Sequence, residues 1–211
     1  MQPKPYTDIS TEMKKENRSL RIITGLARGK KLFEPSDNNI RPTTDMVKEA
    51  VFNIIQFDIE GRKVLDLFAG TGQLGIEALS RGAASCVFID ESAEAVKLIE
   101  RNLNASGLKG GKVSRAESCA FLASAGKYDI IFLDPPYKTN LLEKALQRIQ
   151  EFDKLNLGGI IVCESPSDKE PPELPAPYVK IKSYRYGKVR ITTYTKREDT
   201  VDENCNISGE L

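Results

Sequence analysis

Two short segments carry residue types and spacings that can do chemistry. The first, Asp134-Pro135-Pro136-Tyr137, follows the apolar run Tyr128 to Leu133. Consecutive prolines fix two φ angles and remove two N–H donors. What the tetrapeptide offers a ligand is therefore a rigid row of acceptors, the Asp134 carboxylate and the adjoining backbone carbonyl, with the Tyr137 ring beside it. That row suits the exocyclic amine of a flipped-out base, whose N–H hydrogens it would hold while Tyr137 stacks on the ring face. Such an amine is a poor nucleophile because its lone pair is delocalised into the ring. Fixed acceptors on both N–H groups aim that lone pair at an electrophile, so positioning and electrostatics supply the catalysis. A proline-rich turn with a packed tyrosine would use the same four residues. The chain has no histidine, which excludes Ser-His-Asp and Cys-His nucleophiles, His-ligated metals and imidazole general bases.

The second segment, Asp66-Leu67-Phe68-Ala69-Gly70-Thr71-Gly72-Gln73-Leu74-Gly75, contains G-x-G-x-x-G. Glycines there let the backbone turn tightly and let a ligand approach with no Cβ in the way, so a branched side chain at Gly72 is expected to meet the ligand. Asp90 closes the next apolar run, where an acid can accept hydrogen bonds from both ribose hydroxyls of an adenosine. Taken alone the pattern fits NAD or FAD, or a tight turn with no ligand at all. Asp66, four residues before Gly70, separates the cofactors, because a dinucleotide's pyrophosphate would face a carboxylate there. S-adenosylmethionine (SAM) has no phosphate and carries an ammonium, so Asp66-x-Phe68-x-Gly70-Thr71-Gly72 is read as a SAM loop. Glu117 is placed to reach the adenine amine, with an exposed loop acid as the alternative.

These segments need strands and helices to hold them. From Gly61 the chain alternates short β-branched runs with segments of helical period, which predicts an α/β domain with a parallel sheet covered by helices. Strands are predicted at Lys63 to Phe68, Ser85 to Asp90, Lys112 to Ala116, Tyr128 to Asp134 and Gly159 to Glu164. Helices are predicted at Gln73 to Arg81, Ser92 to Ser106, Ser118 to Ser124 and Leu141 to Phe152. Val179 to Tyr186 and Val189 to Lys196 flank Gly187-Lys188 and predict an antiparallel hairpin that closes the sheet. Ahead of the sheet, Leu20 to Phe33 reads as a small β-rich arm. An amphipathic helix follows, with Met46, Val47, Ala50, Val51, Ile54 and Ile55 on one stripe. The organisation expected is a flexible tail over 1–18, the arm and helix over 19–58, the main domain over 59–196 and a disordered tail over 197–211.

A length of 211 residues, 40% apolar and 29% charged, is enough for one domain with a substantial core. No apolar stretch approaches the length of a membrane span, and residues 1–30 lack a secretory h-region, so a cytoplasmic location is expected. Cys86, Cys119, Cys163 and Cys205 are far apart with no C-x-x-C pair; buried reduced thiols are expected, and neither zinc nor any other metal. The net charge of +1 hides an asymmetry: residues 14–31 hold seven Lys or Arg against one Glu, while 198–211 hold five acids and no base. The basic arm, with Arg18, Arg21, Arg28, Lys30 and Lys31, reads as a phosphate-contacting surface or as a merely solvated one.

With both motifs in hand, the sequence resembles the bacterial 16S rRNA guanine-N2 methyltransferases of the RsmD family, of the class I SAM-dependent (Rossmann-like) fold, from about Arg21 to Thr195. The residues that carry the likeness are Arg21 to Gly25 with Ala27-Arg28-Gly29, Arg41-Pro42-Thr43-Thr44-Asp45 running on to Asn53, Asp66 to Ala83, and Asp134 to Tyr137. The resemblance implies a mostly parallel seven-stranded sheet, and the glycine loop with Asp90 holding SAM. It also implies that the Arg41 to Asp45 block packs over the cofactor, with Thr43 and Asp45 as contacts, and that Asp134 to Tyr137 lie at the target guanine. Arg41 joins Arg21, Arg28, Lys30 and Lys31 as expected RNA contacts. The implied substrate is the small-subunit rRNA, in the guanine(966)-N2 manner, within the subunit or an assembly intermediate, and the enzyme is expected to be a monomer. Met46 and Lys48 stand where the family usually has Arg, and Asp90 where it often has Glu. The same acceptor row would fit a DNA adenine-N6 or another RNA amino methyltransferase. An idle RNA-binding module and an NAD enzyme are further alternatives.

Overall fold

The computed structural model describes residues 20–35 and 45–198 of the chain. Arg18, Arg41, Thr43, Cys205 and nearly all of the two expected tails lie outside the described residues.

Seven strands form one sheet in the order β3-β2-β1-β4-β5-β7-β6. They are β1 (Lys63–Asp66), β2 (Ser85–Asp90), β3 (Gly111–Arg115), β4 (Tyr128–Leu133), β5 (Leu155–Pro166), β6 (Tyr178–Tyr186) and β7 (Val189–Lys196). The first five run parallel, whereas β7 pairs antiparallel with both β5 and β6. Helices cover both faces, and a strand buried on both faces has no polar side to show, which is why β4 reads as a nearly continuous apolar run. One face packs under the arm, α1 (Asp45–Ile54), α2 (Gln73–Ser80) and α3 (Ala93–Ser106), with Leu20, Ile22, Phe52, Ile76, Ile99 and Phe132 in a single core. The Phe52 and Phe132 rings meet edge to face, their centroids 5.7 Å apart. The other face packs under α4 (Ser118–Ser124) and α5 (Leu141–Glu151) through Leu65, Ile131, Leu122, Leu146 and Ile149. The chain leaves β1 toward β2 on one side and reaches β4 on the other, so the carboxyl ends of β1 and β4 border a crevice at the point where strand order reverses.

Local signals account for the helix ends. Ser92 caps α3 by accepting from Ala95 N, and Gly107 ends it at φ 69°, a left-handed conformation that glycine adopts without a Cβ clash. Four expectations change. Strand β5 begins at Leu155, four residues before the expected Gly159, because Asn156 to Gly159 bulge out of register opposite Asp129 instead of forming a turn outside the sheet. The arm holds no strand, only one antiparallel bridge between Arg21 and Lys31. Met46 is 56% exposed although it lies on the expected stripe, and Lys48 is fully buried, its ammonium donating to Arg21 O. Among the described residues no helix is long and apolar enough to cross a membrane. Cys86 and Cys163 are buried as expected, but Cys119 is only half-buried, because it sits in the first turn of the short helix α4.

Candidate active site

A cleft of about 600 Å³ opens at the carboxyl ends of β1, β2, β4 and β5. Asp66 ends β1 and is 2% exposed, with its Oδ2 accepting from Gly75 N at 3.0 Å. Burial and the neighbouring Asp90 charge push the Asp66 carboxyl up to about 7, against the partial relief of the Gly75 bond. Asp90 ends β2 and braces the loop, accepting from Gly70 N through Oδ2 and from Ser92 N through Oδ1, both at 2.9 Å. Each of its oxygens keeps a second lone pair for a ligand hydroxyl. Phe68, Gly70 and Thr71 line the cleft between the two acids, and Asn102 of α3 holds Thr71 O at 2.9 Å.

Gly72 has a different role from the one expected. It does not line the cleft; its φ is 76°, and a Cβ there would lie 3.1 Å from Ile99 Cγ2, on the protein side of the loop. The residue is required for the left-handed turn and the α3 contact, not for ligand approach. At Gly75 a Cβ would fall 2.3 Å from the Phe88 ring, so this glycine brings α2 down onto β2. Asp45 also departs from expectation: it pairs with Arg21 Nε at 3.3 Å and Lys48 Nζ at 3.7 Å and is not among the cleft-lining residues. Two cations on one side draw its carboxylate toward the arm. Glu117 does line the cleft, while its carboxylate caps α4 by accepting from Cys119 N at 3.0 Å and Ala120 N at 2.6 Å. The expected reach to an adenine amine would be made by a carboxylate already fixed as a helix cap.

Asp134, Pro135, Pro136 and Tyr137 line the same cleft from the end of β4. The Tyr137 hydroxyl donates to Glu164 Oε1 at 2.5 Å, and Thr139 Oγ1 donates to Pro136 O at 2.7 Å, which pins the turn from both sides. Glu164, buried at the end of β5, is the functional candidate that sequence reasoning missed. Its signal was an acid closing an otherwise apolar strand next to the Asp134 strand. Val47 and Val189 add apolar wall from α1 and β7. Asp66, Asp90, Glu91, Glu117, Asp134 and Glu164 are among the lining acids, and no described Lys or Arg lines the cleft. Such a wall repels a pyrophosphate and attracts a cationic ligand. A buried acid at the loop, an acid for the ribose and an apolar floor fit SAM, and they count against NAD.

The basic arm packs on α2 and α3, with a different anchorage from a sheet. Fully buried Glu77 of α2 accepts from Ile23 N at 2.7 Å, Thr24 N at 2.9 Å and Arg81 Nε at 2.9 Å. Ser80 accepts from Ala27 N at 3.0 Å and donates to Thr24 O at 2.6 Å. Gly25 packs so close that a Cβ would lie 1.9 Å from Ser80 O. Of the expected phosphate contacts, Arg28 and Lys31 are exposed, and Arg21 is exposed beside Asp45. Lys30 is committed to Ser106 O at 2.6 Å, at the end of α3.

The family described as Conserved hypothetical protein 95 matches residues 20–195. The chain is 39% identical to "Putative rRNA methyltransferase YlbH" of Bacillus subtilis, over 84% of this chain and 100% of that protein. It is 34% identical to "Ribosomal RNA small subunit methyltransferase D" of Escherichia coli K12, over 87% of this chain and 96% of that protein. Its fold superposes on "Putative methyltransferase yhhF from Escherichia coli" with a TM-score of 0.77 and 32% identity, over 85% of this chain and 98% of the other. The match over nearly all the described residues, together with the acid-lined cleft and its glycine loop, places the chain in the Conserved hypothetical protein 95 family, the RsmD family of SAM-dependent methyltransferases.

Proposed function

We propose that the protein methylates the exocyclic N2 amine of a guanine in 16S rRNA, acting as a cytoplasmic monomer on the small ribosomal subunit or its assembly intermediate. The observation that carries this reading is the shared cleft: the amine-acceptor row Asp134 to Tyr137 and the SAM loop Asp66 to Thr71 face one space of about 600 Å³. The names of the relatives from Bacillus subtilis and Escherichia coli support rRNA as the substrate.

When bound, SAM supplies a methyl carbon on a sulfonium, whose departure as a neutral thioether needs no metal. The chain's residues do the rest. Asp66 faces the ligand's ammonium, Asp90 accepts from the ribose hydroxyls, and the Gly70 to Gly72 turn is held rigid by Asp90 and Asn102. Asp134 and the Pro135 carbonyl accept the two N–H hydrogens of the target amine and so point its lone pair at the methyl carbon. Asp134 or water would take the surplus proton of the methylated amine. Tyr137, fixed by Glu164, stacks on the base. Arg28 and Lys31 on the arm contact RNA phosphates.

The test is incubation of small-subunit particles from cells lacking the enzyme with isotopically labelled SAM, followed by mass spectrometry of the nucleosides. N2-methylguanosine is expected. Label in N6-methyladenosine, or none in rRNA, would overturn the assignment.

A further inference from the structure

Two acids close neighbouring strands on one face of the sheet. Leu133 of β4 is in register with Cys163 of β5, and strand alternation carried one residue further places Asp134 and Glu164 side by side on the opposite face. Neighbouring strands lie about 4.8 Å apart. Both residues line the cleft, and Tyr137, three residues after Asp134, donates to Glu164 Oε1 at 2.5 Å. The sheet order sets a sequence of acids outward from the SAM loop: Asp66 on β1, Asp134 on β4, Glu164 on β5. If Asp134 holds the amine that receives the methyl group, the carboxylate on β5 faces the ring atom next to that amine on the side away from the cofactor.

That neighbour differs between bases. Beside the N2 amine of guanine lies N1, which carries a hydrogen and donates. The amine of adenine is flanked by N1, and that of cytosine by N3; each presents a lone pair. A carboxylate at this point accepts from guanine N1–H and repels the lone pair of the other two. We infer that Glu164 is the specificity residue that selects guanine, its carboxylate accepting the N1–H hydrogen while Asp134 accepts from N2; this deepens the guanine-N2 reading and rests on it. Tyr137 then has two roles, stacking on the base and orienting the Glu164 carboxylate.

The test compares two bases that share the N2 amine but differ at N1. The target guanine in 16S rRNA is replaced by 2-aminopurine through splinted ligation, and the rRNA is reconstituted into small-subunit particles. Initial rates of methylation are measured for wild type, Glu164→Gln and Glu164→Ala. Wild type is expected to prefer guanine by roughly ten- to a hundredfold, the scale of one specific base-edge hydrogen bond. Glu164→Ala should reduce that preference to within about threefold, and Glu164→Gln should give an intermediate value, because a neutral acceptor is weaker than a charged one. Intrinsic reactivity differences between the bases cancel in the ratio between variants. If Glu164 were only a structural support for Tyr137, both substrates would slow equally and the preference would persist, which overturns the inference. Binding of S-adenosylhomocysteine by calorimetry checks that each variant is folded; should the alanine variant fail that check, the glutamine variant alone decides, a preference within a factor of two of wild type counting against the inference. Failure of wild type to methylate guanine N2 at all would instead overturn the parent assignment.

Discussion

Binding of SAM should release a proton from the protein below neutral pH. Burial holds the Asp66 carboxyl at about 7 in the ligand-free protein, against an ordinary 3.8. At pH 6 roughly nine in ten molecules therefore carry the proton on Asp66. An ammonium placed against the carboxylate lowers its pKa. Binding at pH 6 then expels up to about 0.9 proton per ligand, and affinity falls by up to about fivefold between pH 7 and pH 6. Titration calorimetry at pH 6 in two buffers of different ionisation enthalpy reads the released proton directly. Asp66→Asn should release none and should bind about 10–100-fold more weakly, the scale of one charge-assisted hydrogen bond. In the free protein the sign is the opposite of a paired acid's. Because the folded pKa is the raised one, the native state holds the extra proton, and this group's contribution to stability is lost as pH rises from about 4 through 7. Asp66→Asn should flatten that part of the stability profile. Buffer-independent heats at pH 6, with an affinity unchanged between pH 6 and 7, would remove Asp66 from contact with the ligand's ammonium.

Asp134→Ala should keep SAM affinity within about threefold while methyl transfer falls by roughly two orders of magnitude or more, since the residue serves the amine and not the cofactor; single-turnover rates with saturating SAM check this. Gly72→Val should lower thermal stability by about 2–3 kcal/mol through a β-branched residue at φ 76° against Ile99, and SAM should bind to whatever fraction remains folded, which thermal melts with and without ligand separate. Reversing charge at Arg28 and Lys31 should weaken RNA binding and flatten log K against log salt by about 0.7–0.9 for each phosphate no longer neutralised, with SAM affinity unchanged. Lys30 is unsuited to that experiment because its ammonium holds the end of α3; filter binding at several salt concentrations gives the slope.

The main domain was legible because its signals are local and agree with one another. Val64-Leu65-Asp66 followed by Gly70 and Gly72 needs a strand, a left-handed turn and a helix, and each appears in place. That Asp66 and Asp134 share a cleft follows from parallel-sheet topology, which brings the carboxyl ends of β1 and β4 side by side. What stayed hidden depends on partners distant in sequence. Gly72 looked like a ligand contact because the pattern cannot tell on which side of the loop its missing Cβ lies; Ile99 decides that. Residues 20–33 alternate like strands, yet the backbone donors of Ile23, Thr24 and Ala27 go to Glu77 and Ser80, more than 50 positions away. Lys48, which stands where the family usually has Arg, is drawn inside by the carbonyl of Arg21. Glu164 was one acid among many until β5 was placed beside β4.

The buried Glu77 changes what kind of unit the N-terminal arm is. An irregular surface segment with a single bridge would ordinarily fray and exchange its amide hydrogens quickly. Here the amides of Ile23 and Thr24 close on a carboxylate with no solvent exposure, and letting go would take two hydrogen bonds from a charge buried in the core beside Arg81 and Lys48. Opening this part of the arm is therefore coupled to α2, which begins at the glycine loop. The amides of Ile23 and Thr24 should exchange hydrogen as slowly as those of α2, and faster exchange in the arm would show that it opens alone.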